Sequence, residues 1–258
     1  MPKVAIVAAL EREVRGLIRN WHRVERDFEG RKFVFFEQDE LVVVCGGIGV
    51  ECARRAAESA IALYRPARVE SVGFAGALDE TLRVGEIFRP AEVIDARDGS
   101  RFKTGRFETS DAHGDGRLVT FMAVAGSEQK AKLAQAYQAC AVDMESAGAL
   151  AAARAHEVAF GATKVISDEW DFEMPGMADF IDAAGQFKTA SFVTHVVLRP
   201  WLWKRVAILA TNSSKAARAL AAHLEHFQHD LKEGALMADT RTTAPVLSVN
   251  RLGGESRQ

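Results

Sequence analysis

Short β-rich runs alternate with longer amphipathic helical patterns along most of the 258 residues, and this alternation predicts an α/β fold. The expected architecture is a single three-layer domain, a central mixed, largely parallel sheet flanked by helices on both faces. Two further observations agree. The composition is 48% apolar, enough to bury a full core at this length. No internal repeat divides the chain, and the final stretch is polar and bears Gly and Pro.

The elements follow in order. "KVAIVAA" (3–9) reads as a buried strand, and "EREVRGLIRNW" after it as a helix. "KFVFFEQ" and "LVVVCGG" form a hairpin pair around "DE", and "GVECARRAAESAIALY" repeats apolar residues at helical spacing. "RVESVGFAGAL" is a strand running into small residues. "EIFRPAEVI" reads as one strand with Pro90 at an edge or bulge, and "RLVTFMAVA" as another. "SEQKAKLAQAY" is a helix, residues 144–156 a second one, and "GATKVIS" a strand ending at Ser167 and Asp168. The main domain is expected over 1–235, with a loose polar tail over 236–258.

Composition excludes several classes of function. A net charge of −2 provides no basic field for nucleic acid. Cys45, Cys52 and Cys140 lie in apolar surroundings without metal spacing and read as core thiols rather than a disulfide framework. The amino-terminal apolar run is too short for a signal peptide, and no segment reaches the ~18 apolar residues of a spanning helix. The expected location is the cytoplasm.

In an open α/β sheet, ligands sit beyond the carboxyl ends of the strands. That rule selects "ALERE" (9–13), "GGIG" (46–49), "GFAGA" (73–77), "VDMES" (142–146) and "SDEWD" (167–171) as walls of one polar pocket. "GGIGVEC" is not a dinucleotide turn, because Cys52 stands where a third Gly or Ala is required and the turn follows an internal strand. No phosphate-cradling Gly-Lys-Ser/Thr, no Gly-x-Ser-x-Gly elbow and no zinc spacing among the seven histidines is present. Three dispersed acids remain. Glu13, Glu145 and Asp168 each admit a local role, respectively in a solvated helix start, at a helix dipole and capping a turn, with Asp143 a good helix cap beside Glu145. Each also stands at an expected strand end, where it could meet a ligand.

Taken together, these pieces resemble the purine nucleoside phosphorylase/uridine phosphorylase superfamily, nearest the methylthioadenosine and S-adenosylhomocysteine nucleosidases. "VAALEREV" is similar to the first strand and loop, "CGGIGVECARRA" to the glycine turn and its helix, and "VGFAGALDETLRVGEI" to the G-x-A-G-x-L segment. "AVDMESAGAL" is close to the ribose-binding V-[DE]-M-E-[SA] motif and "KVISDEWD" to I-S-D-x-A-D. The resemblance implies cleavage of the N-ribosidic bond of a purine nucleoside. It implies Asp168 as acid toward purine N7, with a carboxyl pKa raised by burial at its strand end. Glu145 would grip the ribose diol, Met144 pack against the sugar, and Glu13 orient or deprotonate the nucleophile. Gly73, Phe74, Ala75, Ser167 and Trp170 complete the implied binding set. No cofactor or metal is implied; phosphate would enter only as a co-substrate. The implied partner is a small purine nucleoside, within a homodimer.

The departures carry chemistry too. Ser71 stands at the arginine position of the phosphorylases and Phe74 where Ser or Thr is usual, which removes two phosphate partners and favours water, although Arg12 could compensate. Trp170 replaces a small residue and should reshape the pocket. "SFVTHVVLRPWLWKRVAILATNSSKAARALAAHL" (191–224) resembles the helical extension of the hopanoid-associated branch, implicated in removing adenine from an adenosylated triterpenoid. Trp201, Leu202 and Trp203 are read either as core or dimer contacts, or as an apolar groove for a lipid-like 5′ substituent with peripheral membrane contact. The alternative to an enzyme is a nucleoside-binding or scaffold protein that kept the pocket and lost turnover.

Overall fold

The computed structural model describes residues 4–105, 116–173, 180, 182, 185–188, 191, 199 and 202–242, with side chains described as far as residue 231. In chain order the elements begin β1 (Val4–Ala8), α1 (Glu11–Ile18), β2 (His22–Phe28), β3 (Arg31–Gln38), β4 (Leu41–Cys45) and α2 (Val50–Tyr64). Next come β5 (Arg68–Ala77), β6 (Ile87–Phe88), β7 (Glu92–Asp95), β8 (Arg101–Lys103), β9 (Arg117–Thr120) and α3 (Ser127–Tyr137). β10 (Ala141–Asp143), α4 (Ser146–Ala155), β11 (Ala159–Asp168) and α5 (Trp203–Thr242) complete the described chain. α5 runs past the boundary expected at 235/236.

All eleven strands belong to one mixed sheet, in the order β2-β3-β4-β1-β5-β10-β9-β7-β8, with β11 paired to β5 and β6. β5 is its hub. It lies parallel to β1 over Arg68–Ser71 and to β11 along its length, and antiparallel to β10 at Gly76 and Ala77. Apart from the antiparallel β5–β10 pair the interior is parallel, and antiparallel pairs such as β2–β3 and β7–β8 form the rims. "Largely parallel" therefore holds for the centre only.

Period-two alternation sorts the strands' side chains into two cores. Ala5, Val7, Val42 and Val44 pack with the alanines of α2 and α4 on one face. Val4, Ile6, Ala8 and Val43 pack with Val14 and Leu17 of α1 and Leu220 and Leu224 of α5 on the other. These are the three layers expected.

Two strand expectations need correction, and three strands were not foreseen. β2, "HRVERDF", is mostly exposed and shows no apolar alternation; it forms because Glu29 and Gly30, both at positive φ, close a tight hairpin onto β3. "EIFRPAEVI" is two strands, since Pro90 has no N–H to donate to a ladder: β6 joins β11 and β7 joins β9. "RLVTFMAVA" pairs only through Thr120, beyond which Met122 is 68% exposed. The short strands β8 and β10 held no periodic signal.

The α2–α4 contact is a seam of small residues. A Cβ on Gly148 would lie 1.9 Å from the Val50 carbonyl oxygen, a backbone atom that cannot step aside. Gly148→Ala is expected to destabilise the fold by about 3 kcal/mol through overpacking, read as a lower urea midpoint at unchanged m-value.

Candidate active site

Three strand ends and the loops beyond them meet at one cavity of about 400 Å³. Beyond β1, the chain turns into α1 with Leu10 as N-cap, which puts Glu13 in the first helical turn. There its Oε2 accepts the Leu10 N–H at 3.3 Å, so a helix-start requirement and a cavity carboxylate are met by one side chain. Gly73 lies directly behind it, where a Cβ would come 3.0 Å from Glu13 Oε2. Burial pushes the Glu13 carboxyl above its ordinary range, against the Leu10 N–H and the charges of Lys164 and Arg12.

The second carboxylate comes from the break between β10 and α4. Glu145 is the N-cap residue of α4, but its side chain turns away from the helix. Its Oε1 accepts the Gly49 N–H at 2.9 Å and its Oε2 the Met144 N–H at 3.2 Å. Gly49 can present that N–H because its φ of +106° suits glycine. Asp143 does the capping foreseen for it from outside the N-cap position: its Oδ2 accepts the Ser146 N–H at 3.0 Å. Burial first and then the Asp143 charge raise Glu145 to about 7, while Lys164 and the Gly49 N–H oppose.

The third carboxylate depends on an irregularity. β11 and β5 keep register through Ile166↔Ala75, then slip so that Asp168 faces Gly76, leaving Ser167 as a bulge. The bulge re-aims Asp168 toward the cavity. Asp168 is buried and its Oδ1 accepts the Ser167 hydroxyl at 2.6 Å. It also has a charged partner that the sequence did not reveal. The Lys130 ammonium of α3 donates to its Oδ2, so a buried ion pair accompanies the burial.

Beneath these groups lies Lys164, 1% exposed in the middle of β11. Its Nζ is 2.9 Å from Asp143 Oδ2 and 3.1 Å from Ser71 Oγ, which in turn lies 3.1 Å from Ser146 Oγ. Burial alone would lower the Lys164 pKa; the charges of Asp143, Glu145 and Glu13 outweigh it and the net shift is upward. Ser71, at the position where an arginine was expected in a phosphorylase, is thus a buried contact of a lysine.

Of the residues singled out from sequence, Glu13, Phe74, Ala75, Met144, Glu145, Ser167 and Asp168 line the cavity, as does Arg12. Gly73 supports Glu13 from behind without lining it. Trp170 is a correction: it is 43% exposed and outside the cavity wall, because the loop after the bulge carries it to the surface. Trp203, 55% exposed, is not a core residue, which leaves the dimer-contact and apolar-surface readings; Trp201 lies outside the described residues. The apolar wall comes from the next turns of α5, Val206, Leu209 and Ala210, together with Phe187, which stacks under Arg12 at 5.7 Å. Lys130 and Lys164 were missed. Their signals were a lysine three residues before Leu133 on a buried helix face and a lysine inside an apolar strand.

Carboxylates above the strand ends of a mixed three-layer sheet, around a cavity of this size, define the class: an α/β protein with an enzyme-like small-molecule pocket. The chain belongs to the phosphorylase superfamily, whose family model matches residues 3–125 and 122–197. No curated protein sequence matches it. Among solved structures it is similar to a 5′-methylthioadenosine/S-adenosylhomocysteine nucleosidase from Helicobacter pylori, solved with butyl-thio-DADMe-Immucillin-A. That likeness has 18% identity and a TM-score of 0.61, covering 88% of this chain and 99% of that one. The Neisseria meningitidis nucleosidase of the same name gives 20%, 0.60, 86% and 97%. Futalosine hydrolase of Helicobacter pylori gives 17%, 0.59, 87% and 98%. At these identities the likeness establishes the fold.

The raised Glu145 has a consequence for stability. Because its native value lies above the ordinary 4.5 of a free glutamate, the native state holds this proton more tightly than the unfolded chain does between 4.5 and about 7. The Glu145 contribution is therefore complete below that window, declines as pH rises through it, and is level above it. The slope for one proton is at most about 1.4 kcal/mol per pH unit. Urea unfolding at intervals across the window should show this decline in the wild type and its loss in Glu145→Gln.

Proposed function

We propose that the protein cleaves the N-ribosidic bond of a purine nucleoside with adenine as the base. Asp168 acts as acid to the base, Glu145 holds the ribose diol, and Glu13 orients the nucleophile. The observation that supports this reading is the convergence of three carboxylates, from the loops after β1, β10 and β11, on one cavity. Cleavage builds positive charge on the ribose and negative charge on the leaving base. Carboxylates near the sugar answer the first and a proton donor near the base the second. Two oxygens on Glu145 suit a vicinal diol, and Met144 offers the sugar an apolar shelf.

Water fits as nucleophile better than phosphate does. Glu13, Glu145 and Asp143 crowd the same floor, Lys164 is engaged by Asp143 and Ser71, and a phosphate dianion would have Arg12 as its main counter-charge. Phosphorolysis through Arg12 is the second reading. Incubating the protein with adenosine derivatives, with and without phosphate, separates the two: hydrolysis releases adenine and free ribose at a phosphate-independent rate, phosphorolysis a ribose 1-phosphate. Asp168→Asn should lower turnover by roughly 10²–10⁴ with KM little changed. Activity within a few fold of the wild type would remove Asp168 from the mechanism.

The wall formed by Val206, Leu209, Ala210 and Phe187 suits a substrate with an apolar 5′ substituent, of the hopanoid type at its largest. Exposed Trp203 and Ile208 beside Lys204 and Arg205 suit delivery from a membrane surface. Each buried methylene contributes ~0.8 kcal/mol, so four would raise affinity more than a hundredfold. Adenosines with large apolar 5′ groups should accordingly be cleaved with higher kcat/KM than methylthioadenosine. Val206→Asp should erase at least tenfold of that preference while sparing methylthioadenosine; equal losses on both would take α5 out of substrate selection.

A further inference from the structure

Lys130 has no part in the reading above, yet it is buried as deeply as Lys164. It sits on the inner face of α3, 1% exposed, and its ammonium donates to Asp168 Oδ2 and, at 2.6 Å, to the Glu169 carbonyl. β5 is shaped around the pair: a Cβ on Gly76 would lie 2.9 Å from Asp168 Oδ2 and 3.2 Å from Lys130 Cε. The start of α3 is tied to the same loop by the Ser127 hydroxyl, which donates to Glu173. Lys130 also lines the cavity itself.

Packing alone does not call for a lysine here. Enclosing an ammonium and a carboxylate costs several kcal/mol per ion, and a buried pair can often be replaced by apolar groups of equal volume without loss of stability. The geometry points to Lys130 as a positioning residue for departure of the base, holding the Asp168 carboxyl in place and balancing the charge left when its proton goes to the purine. This deepens the nucleosidase reading and rests on it. In the step, the C–N bond breaks with its electron pair moving to the base, and the Asp168 O–H proton forms the new N–H bond at N7. Water forms the C–O bond and its proton passes to Glu13. Asp168 takes up that proton on Oδ1 from solvent before the base departs, and on giving it to N7 returns to the carboxylate ion-paired with Lys130, which the ammonium already on its Oδ2 stabilises without reorganisation.

The inference separates leaving-group assistance from folding. Lys130→Met keeps the length and removes the charge; Lys130→Arg keeps the charge. The substrates are the adenosine derivative cleaved best and its N7-methylated counterpart, whose base already carries the positive charge that protonation supplies. Lys130→Met should lower kcat on the parent nucleoside about 100-fold, with KM within a few fold, and change cleavage of the N7-methylated substrate by less than about fivefold. Lys130→Arg should recover at least a tenth of the parent rate. Equal losses on both substrates, or no loss on either, overturn the role of Lys130. If Lys130→Met does not fold, Lys130→Gln takes its place; failure of both neutral variants to fold makes the lysine a packing residue and also overturns it. A wild-type protein that releases base from neither substrate overturns the nucleosidase reading itself.

Discussion

A single ammonium, that of Lys164, allows three carboxylates to share the floor of the site. Asp143, Glu145 and Glu13 all feel its charge, and without it their mutual repulsion in an enclosed space would oppose the fold. With all three ionised against one ammonium, the arrangement is two positive charges short of neutral. Burial raises the pKa values of Glu13 and Glu145, and for Glu145 the Asp143 charge adds to it; Asp143 itself is held by Lys164, the Ser146 N–H and the Thr120 hydroxyl. The division of labour among three acids follows from which of them the lysine reaches first.

Around that charge, the sheet acts as a positioning device. Parallel β1, β5 and β11 bring the "ALERE", "GFAGA" and "SDEWD" segments to one edge, and β10, antiparallel to β5, brings Glu145 from the other direction. The bulge at Ser167 and the missing side chain at Gly76 are small departures from regularity, and both serve Asp168. The scaffold is regular wherever it only has to hold and irregular where a side chain has to point.

Much of this was legible in the order of residues. Strands buried on one or both faces and amphipathic helices such as "SEQKAKLAQAY" declare themselves by period, and acids at strand ends by contrast with their neighbours. β2 was not legible, because its strand character comes from pairing with β3 rather than from its own mostly polar residues. The exposure of Trp170 and Trp203 was not legible either: large apolar residues read as buried until the path of the loop or the roll of the helix is known. Lys130 and Lys164 stood in plain view as lysines in apolar elements. What the sequence could not supply was the partner, since Asp168 and Asp143 lie on other elements.

The pairing of β5 with β11 joins Arg68 to Ala159 and Gly76 to Asp168, so the central seam of the sheet closes only after some ninety residues of intervening chain. Contacts so distant in sequence make for slow folding. During synthesis one edge of β5, an apolar strand, waits unpaired until β11 emerges, and the α1 face waits longer still for α5. The nascent protein therefore passes through a stage in which its most aggregation-prone edge is open, and chains truncated before residue 159 should depend on chaperones for their solubility.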